Sequence, residues 1–298
     1  MTLKTRYLRD RIVVSLLASM TALVVIPLCV IIAYVVINGI GALSWDFFTE
    51  ELGSPARAMQ GRPTGLAHSI VGTLIIDSLA VCMAAPVGIG TGILLSEFPD
   101  HPVNPILRVL TSTLNGMPAV LMGMLAFSLV VKPMGRFSAL AGSFALALVM
   151  LPIIARAVEG VLNITPWSIR EAGLALGLPR WRVTLSMVLP AAKRGVVTGV
   201  LIAFARAAGE AAPLLFTSFG NNYMNTNILK PMDTLPQRLY SLAISPYRQW
   251  HSMGWAAGIV LMIIVLASFA AARLLSRESA GLHIKSDRSK KPESNKEV

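Results

Sequence analysis

Residues 171–177 read Glu171-Ala172-Gly173-Leu174-Ala175-Leu176-Gly177, and Met187-Val188-Leu189-Pro190 follows after a short basic stretch. The segment opens on Thr165-Pro166-Trp167. Proline suits the first turn of a helix, where its missing N–H would have no partner anyway. Residues 168–176 have the composition of a helix, and Gly177-Leu178-Pro179 stops it. A second short helix is expected over residues 180–188, ahead of Pro190. The small residues Ala172 and Gly173 leave the first helix slim enough to enter a groove. Gly177 tolerates the positive φ of a sharp turn. Glu171 is placed to cap the local backbone or to pair with a basic group. Two short helices joined at a glycine make a knob, and a knob points at a partner.

The flanks of this knob are apolar. The chain has 298 residues, of which 54% are hydrophobic and only 14% charged. That is too little charge to cover a soluble domain of this size. A helix needs about 20 mostly apolar residues to cross the hydrocarbon core. Six stretches qualify. Residues 12–37 carry no charge and are too long for the core of a cleaved signal peptide. Residues 70–95 contain one acid, Asp77; 109–131 are uncharged; 137–155 follow. Residues 195–219 enclose Arg206 and Glu210, and 252–272 make the sixth. Pro27, Pro86, Pro118 and Pro152 fall within spans, where neighbouring helices can satisfy the freed carbonyls. The expected fold class is an all-α membrane protein, a six-transmembrane-helix bundle whose knob lies between spans four and five.

The net charge of +11 does not indicate nucleic-acid binding, because the basic residues cluster between apolar runs rather than along one helical face. Lys4, Arg6, Arg9, Arg11, Arg108, Arg170, Arg180, Arg182, Lys193 and Arg194 fall on one side of the membrane, together with every Lys and Arg from Arg273 onward. Fewer, among them Arg57, Arg62, Lys132, Arg136, Lys230, Arg238 and Arg248, fall on the other. The bias puts both termini and the knob in the cytoplasm. Residues 1–11 are then a cytoplasmic N-terminus, 38–69 a periplasmic loop, 159–194 the coupling loop, and 276–298 a polar, disordered tail. Cys29 and Cys82 sit in apolar runs, and the four histidines show no ligand spacing, so no disulfide and no metal site are expected. No Gly-Lys dipeptide occurs, which excludes a P-loop. Gly88, Gly90 and Gly92 read as helix packing.

Charges deep in a span cost about 2.5–3.5 kcal/mol each on insertion scales, so they usually face a pathway or a partner. Arg206 and Glu210, four residues apart, would share a helix face. Arg before Glu is the weaker order for helix stabilisation, which leaves a binding role as the better reason for the pair. Arg156 and Glu159 form a second pair near the end of span four. Asp77 is open to pairing with an arginine across the bundle or to facing water.

The knob resembles the EAA loop of ABC-importer permeases: Glu-Ala-Ala, a glycine four residues later, and a distal aliphatic-x-Leu-Pro. Gly173 replaces the third-position alanine and Met187 the usual Ile or Leu. Span five, Ala205-Arg206-Ala207-Ala208-Gly209-Glu210-Ala211-Ala212-Pro213-Leu214-Leu215-Phe216-Thr217, resembles the signature of PstA-type phosphate permeases, with Ala211 in place of Thr. So do Pro86-Val87-Gly88-Ile89-Gly90-Thr91-Gly92-Ile93 and Met232-Asp233-Thr234-Leu235-Pro236.

The resemblance implies a type I, MetI-like permease domain over residues 64–275 in a bacterial inner membrane, importing inorganic phosphate. It places substrate-pathway residues at Arg206, Glu210, Arg156 and Glu159. It places ATPase coupling at Glu171, Ala172, Gly173, Gly177, Leu189 and Pro190. It implies no enzyme activity and no cofactor in this chain; ATP and magnesium would be used by a separate ATPase. Implied partners are a PstC-like second permease, two PstB-like ATPase subunits, a PstS-like periplasmic phosphate-binding protein and the lipid bilayer. Import of sulfate, molybdate or phosphonate on the same framework is the nearest alternative, and an ion-coupled secondary transporter a more distant one.

Overall fold

Eleven helices follow one another through the residues that the computed structural model describes, 3–54, 56, 57, 60, 62 and 64–288. In chain order they are α1 (Leu3–Gly39), α2 (Trp45–Thr49), α3 (Ala67–Glu97) and α4 (Asn104–Gly116). Then come α5 (Ala119–Met134), α6 (Ala139–Asn163), α7 (Trp167–Ala175) and α8 (Arg180–Ala207). Last are α9 (Ala212–Leu215), α10 (Leu235–Ala243) and α11 (Arg248–Arg288). Five are long and apolar enough to cross a membrane, or six if the bent pair α4 and α5 is counted as one span.

The centre of the bundle is the pair α3 and α6, and small residues explain why they sit so close. A Cβ on Gly88 would fall 2.8 Å from the Ile154 side chain, and one on Gly92 would fall 2.6 Å from Val158. Helix α8 joins α6 in the same way, through Gly195 against Val161 and Gly199 against Ala157. Between apolar helices in lipid, where burial gains little, such backbone approach supplies the packing contact. A second cluster gathers Phe47 and Leu66 with α10 and α11. Helix α1 leans on α11 through an edge-to-face contact of Tyr34 and Trp255 and through Gly39, and its apolar side chains from Ile12 to Ile32 stand exposed. Such a surface belongs in lipid.

The structure departs from the sequence reading in five places. The third span is not one helix. It bends by 111° between α4 and α5, because Pro118 has no N–H to donate and forces Met117 into an extended conformation (φ −76°, ψ 136°). The knob's second helix does not stop at Pro190. A wide π turn over Thr184–Val188 comes just before the proline, accommodates its missing donor, and lets α8 run unbroken from Arg180 to Ala207. The fifth span instead breaks after Ala207, where Gly209 and the Ala212-Pro213 step both disfavour helix, and Glu210 falls in the break. Helix α6 runs on to Asn163, so Arg156 and Glu159 are inside it. At the C-terminus α11 continues to Arg288, past the expected start of the tail at 276, since residues 273–280 include neither Pro nor Gly; residues 289–298 lie outside the described residues.

Candidate functional site

The two breaks meet. Gly123 of α5 packs on the backbone of Pro213 in α9, so closely that a Cβ would lie 2.6 Å from the proline Cα. Beside this contact is a cavity of about 290 Å³. Leu114, Asn115, Met117, Pro118, Ala119 and Met122 line it from the α4–α5 bend; Val149, Pro152 and Ile153 from α6; Arg206 and Glu210 from the α8 break. Non-helical backbone at membrane depth is tolerated where it lines such a space. Arg206 occupies the last turn of α8, where the helix dipole favours a cation. Glu210 reaches the same cavity from beyond the helix end, so the two share a cavity and not a helix face. They form no ion pair with each other or with any other described residue. An unspent guanidinium and an unspent carboxylate thus face one space, with the Asn115 amide beside them.

Arg156 and Glu159 are held together, and a third charge joins them. Arg156 Nη1 is 3.3 Å from Glu159 Oε2, and Arg108 Nη1, from α4, is 3.0 Å from Glu159 Oε1. Arg156 Nη2 donates to the Ser112 hydroxyl at 2.9 Å. Arg108 escaped the sequence reading because it was counted with the flanking charges. The signal that marks it is spacing: Arg108, Ser112 and Asn115 recur at helical intervals on one strongly amphipathic helix.

The knob residues fall into an exposed and a structural set. Glu171 and Ala172 are exposed, as are Leu174 and Leu176. Glu171 pairs with nothing among the described residues. Gly177 has φ +75° and turns the chain back. Gly173 faces α8, where a Cβ would lie 2.8 Å from Met187 Sδ and from the Val183 side chain. Leu189 is half-buried and Pro190 exposed, both inside α8.

The anchor of the knob was missed. Buried Arg170 donates from Nε to Glu97 Oε2 at 2.9 Å and from Nη2 to Glu97 Oε1 at 2.5 Å. It also donates to the carbonyls of Thr165 and Leu162, and its guanidinium lies 5.1 Å from the centre of the Trp167 ring.

At the opposite end of α3, Asp233 of the Met232–Pro236 signature accepts from Ser69 and, at 2.7 Å, from Arg238. Burial pushes its carboxyl above the usual range, against the pull of Arg238 and Ser69. Gly72 admits the Asp233 backbone, so this network fastens the loop before α10 onto α3. Asp77 is buried in α3 with one carboxylate oxygen unpartnered and no ion pair among the described residues.

Residues 88–280 match the family model of the binding-protein-dependent transport system inner membrane component. The chain is 35% identical over 240 residues to the phosphate transport system permease protein PstA of Xylella fastidiosa, covering 80% of this chain and 82% of that one. It is 36% identical over 240 residues to PstA of Haemophilus influenzae, covering 80% and 83%. It is 34% identical over 278 residues to the probable phosphate transport system permease protein PstA of Methanocaldococcus jannaschii, covering 93% and 97%. Among solved structures, the fold resembles the MetNI methionine ABC transporter in inward-facing conformations (TM-score 0.59, 17% identity, 75% of this chain and 99% of that one). It also resembles a bacterial alginate ABC transporter in complex with an alginate-bound periplasmic protein (TM-score 0.63, 12% identity, 93% and 97%). The fold is that of ABC-importer permeases, as the loop motif implied.

Proposed function

The chain belongs to the binding-protein-dependent transport system inner membrane components, within them to the PstA phosphate permeases, and from that premise we propose that phosphate passes through the Arg206–Glu210 cavity. One observation carries the reading: two helix breaks enclose a cavity whose only charged lining groups, among the described residues, are an unpaired arginine and an unpaired carboxylate. A guanidinium fork matches two oxygens of an oxyanion. Hydrogen phosphate also carries a P–OH, which the acceptor-only Glu210 carboxylate can receive. Fully ionised sulfate has no such proton and meets only repulsion there. Glu210 also keeps Arg206 from holding the anion too tightly, as a conduit requires.

In this reading both termini and the knob face the cytoplasm, following the Lys and Arg bias. The exposed face of α7, with Leu174 and Leu176, seats on an ATPase subunit, which binds ATP and magnesium and does the hydrolysis. A homologous second permease closes the other side of the path, a second ATPase copy serves it, and a periplasmic phosphate-binding protein delivers the anion. Since α8 is continuous from Arg180 to Arg206, a displacement of the knob moves the arginine with it. The test is uptake of labelled phosphate by the assembled transporter, competed by sulfate, molybdate and a phosphonate. ATP-dependent uptake that only phosphate competes supports the assignment. Uptake of another of these anions in preference, or uptake that needs an ion gradient and no ATP, overturns it.

A further inference from the structure

The joint between α1 and α11 has a hole in it. At the end of the bundle away from the knob, a partly open cavity of about 310 Å³ lies between Val35 of α1, Leu239 and Ala243 of α10, and Gly254, Trp255 and Gly258 of α11. The two glycines hold it open. A Cβ on Gly258 would make only ordinary contacts, 3.4 Å from Leu239 and 3.5 Å from Val35, and one on Gly254 would lie 3.4 Å from Leu242. Neither position therefore needs glycine for close helix packing, unlike Gly88 and Gly92. A void of this size is foreign to a packed protein interior. Water is a poor filling, because among the lining side chains only those of Trp255 and His251 carry a polar atom. The remaining neighbour is lipid. Residues 251–258 lie three to ten residues along α11 from Arg248, so about 5–15 Å below its first residue. That is the depth of the hydrocarbon in one leaflet, about 15 Å thick. Exposed Tyr34, Tyr240 and Tyr247 gather at the same end, as aromatic side chains do at a membrane surface.

The polar groups of the groove lie at its rim. His251 donates from Nε2 to the Ser245 carbonyl at 2.5 Å, which leaves Nδ1 as an acceptor. Arg248 is exposed and forms no ion pair among the described residues. Arg248, His251, Trp255 and Gly258 recur at helical intervals, so one face of α11 runs from a cation through an acceptor to an apolar hollow. We propose that this groove binds one acyl chain of an anionic phospholipid, phosphatidylglycerol, with the headgroup phosphate at Arg248 and a glycerol hydroxyl donating to His251. The chain fills the hollow and completes the seam by which α1 is held to α11. Phosphatidylethanolamine offers the same tail and phosphate, but it brings an ammonium group beside Arg248.

The experiment uses the purified transporter complex in nanodiscs containing equal amounts of phosphatidylglycerol and phosphatidylethanolamine. One of the two lipids carries a photoactivatable diazirine on its acyl chain, and adducts are mapped by peptide mass spectrometry. Labelled phosphatidylglycerol should mark Val35 and residues 251–258 roughly fivefold more than labelled phosphatidylethanolamine, the factor that corresponds to the about 1 kcal/mol an arginine gains at an anionic surface. The exposed side chains of α1 from Ile12 to Ile32 serve as the internal control and should be marked equally by both lipids. Arg248→Gln should remove the preference while keeping the adducts, and Ala243→Phe, which fills the hollow from an exposed position, should remove the groove adducts and spare the control. Equal marking of the groove by both lipids in the unaltered complex overturns the headgroup assignment and with it the proposal. Control adducts without groove adducts show the hollow covered by protein or closed, and overturn it as well. Both of these results are read on the unaltered complex, so they stand even if a variant fails to fold.

Discussion

Arg170 and Glu97 form a forked, buried ion pair that ties the knob helix α7 to the end of α3. Removing one partner of such a pair strands the other charge and costs about 3–5 kcal/mol. Glu97→Gln should therefore loosen α7 while leaving the central cavity in place. The expected result is a large fall in ATPase stimulation by phosphate-loaded binding protein, with the permease still present in the membrane. Arg170→Lys should rescue poorly, since an ammonium cannot reproduce the two-oxygen fork or the stacking on Trp167.

Gly173 and Gly177 should fail differently. A side chain on Gly173 meets Met187 and Val183, so Gly173→Val should force α7 away from α8 at a cost of about 1–3 kcal/mol. At Gly177 there is open space but φ is +75°, so Gly177→Val should cost about 1–2 kcal/mol through backbone strain alone. Thermal unfolding in detergent compares the two. A bulky residue at 173 that left both stability and ATPase coupling unchanged would contradict the close contact.

Pro118 should be needed for the shape of the cavity. Pro118→Ala restores the N–H and lifts the restriction on Met117, which favours a straighter α4–α5 segment. Phosphate uptake is expected to fall while the amount of permease in the membrane is maintained. Spin labels at positions 106 and 129, on either side of the bend, should move apart.

Most of the bundle was legible in the sequence because crossing lipid requires long apolar runs, and these are visible without partners. The knob was legible because Gly177 and the flanking prolines are local signals. What stayed hidden depends on tertiary context. Whether a proline kinks, breaks or merely decorates a helix is decided by what lies around it. Pro190 follows a wide turn and is absorbed, whereas Pro118 breaks its span. The pairing of Arg206 with Glu210 by helical spacing failed for the same reason: Gly209 and Pro213 end the helix between them, and the cavity reunites them from two separate segments. Arg170 and Arg108 looked like ordinary flanking charges, since their partners Glu97 and Glu159 are distant in sequence.

The central claim is that Arg206 touches the transported anion, and uptake of labelled phosphate by Arg206→Gln in the assembled, membrane-embedded transporter tests it most directly. Uptake should fall to background, while permease abundance and association with the ATPase remain normal. Phosphate transport at the unaltered rate in that variant would remove Arg206 from the pathway and contradict the role given to the cavity.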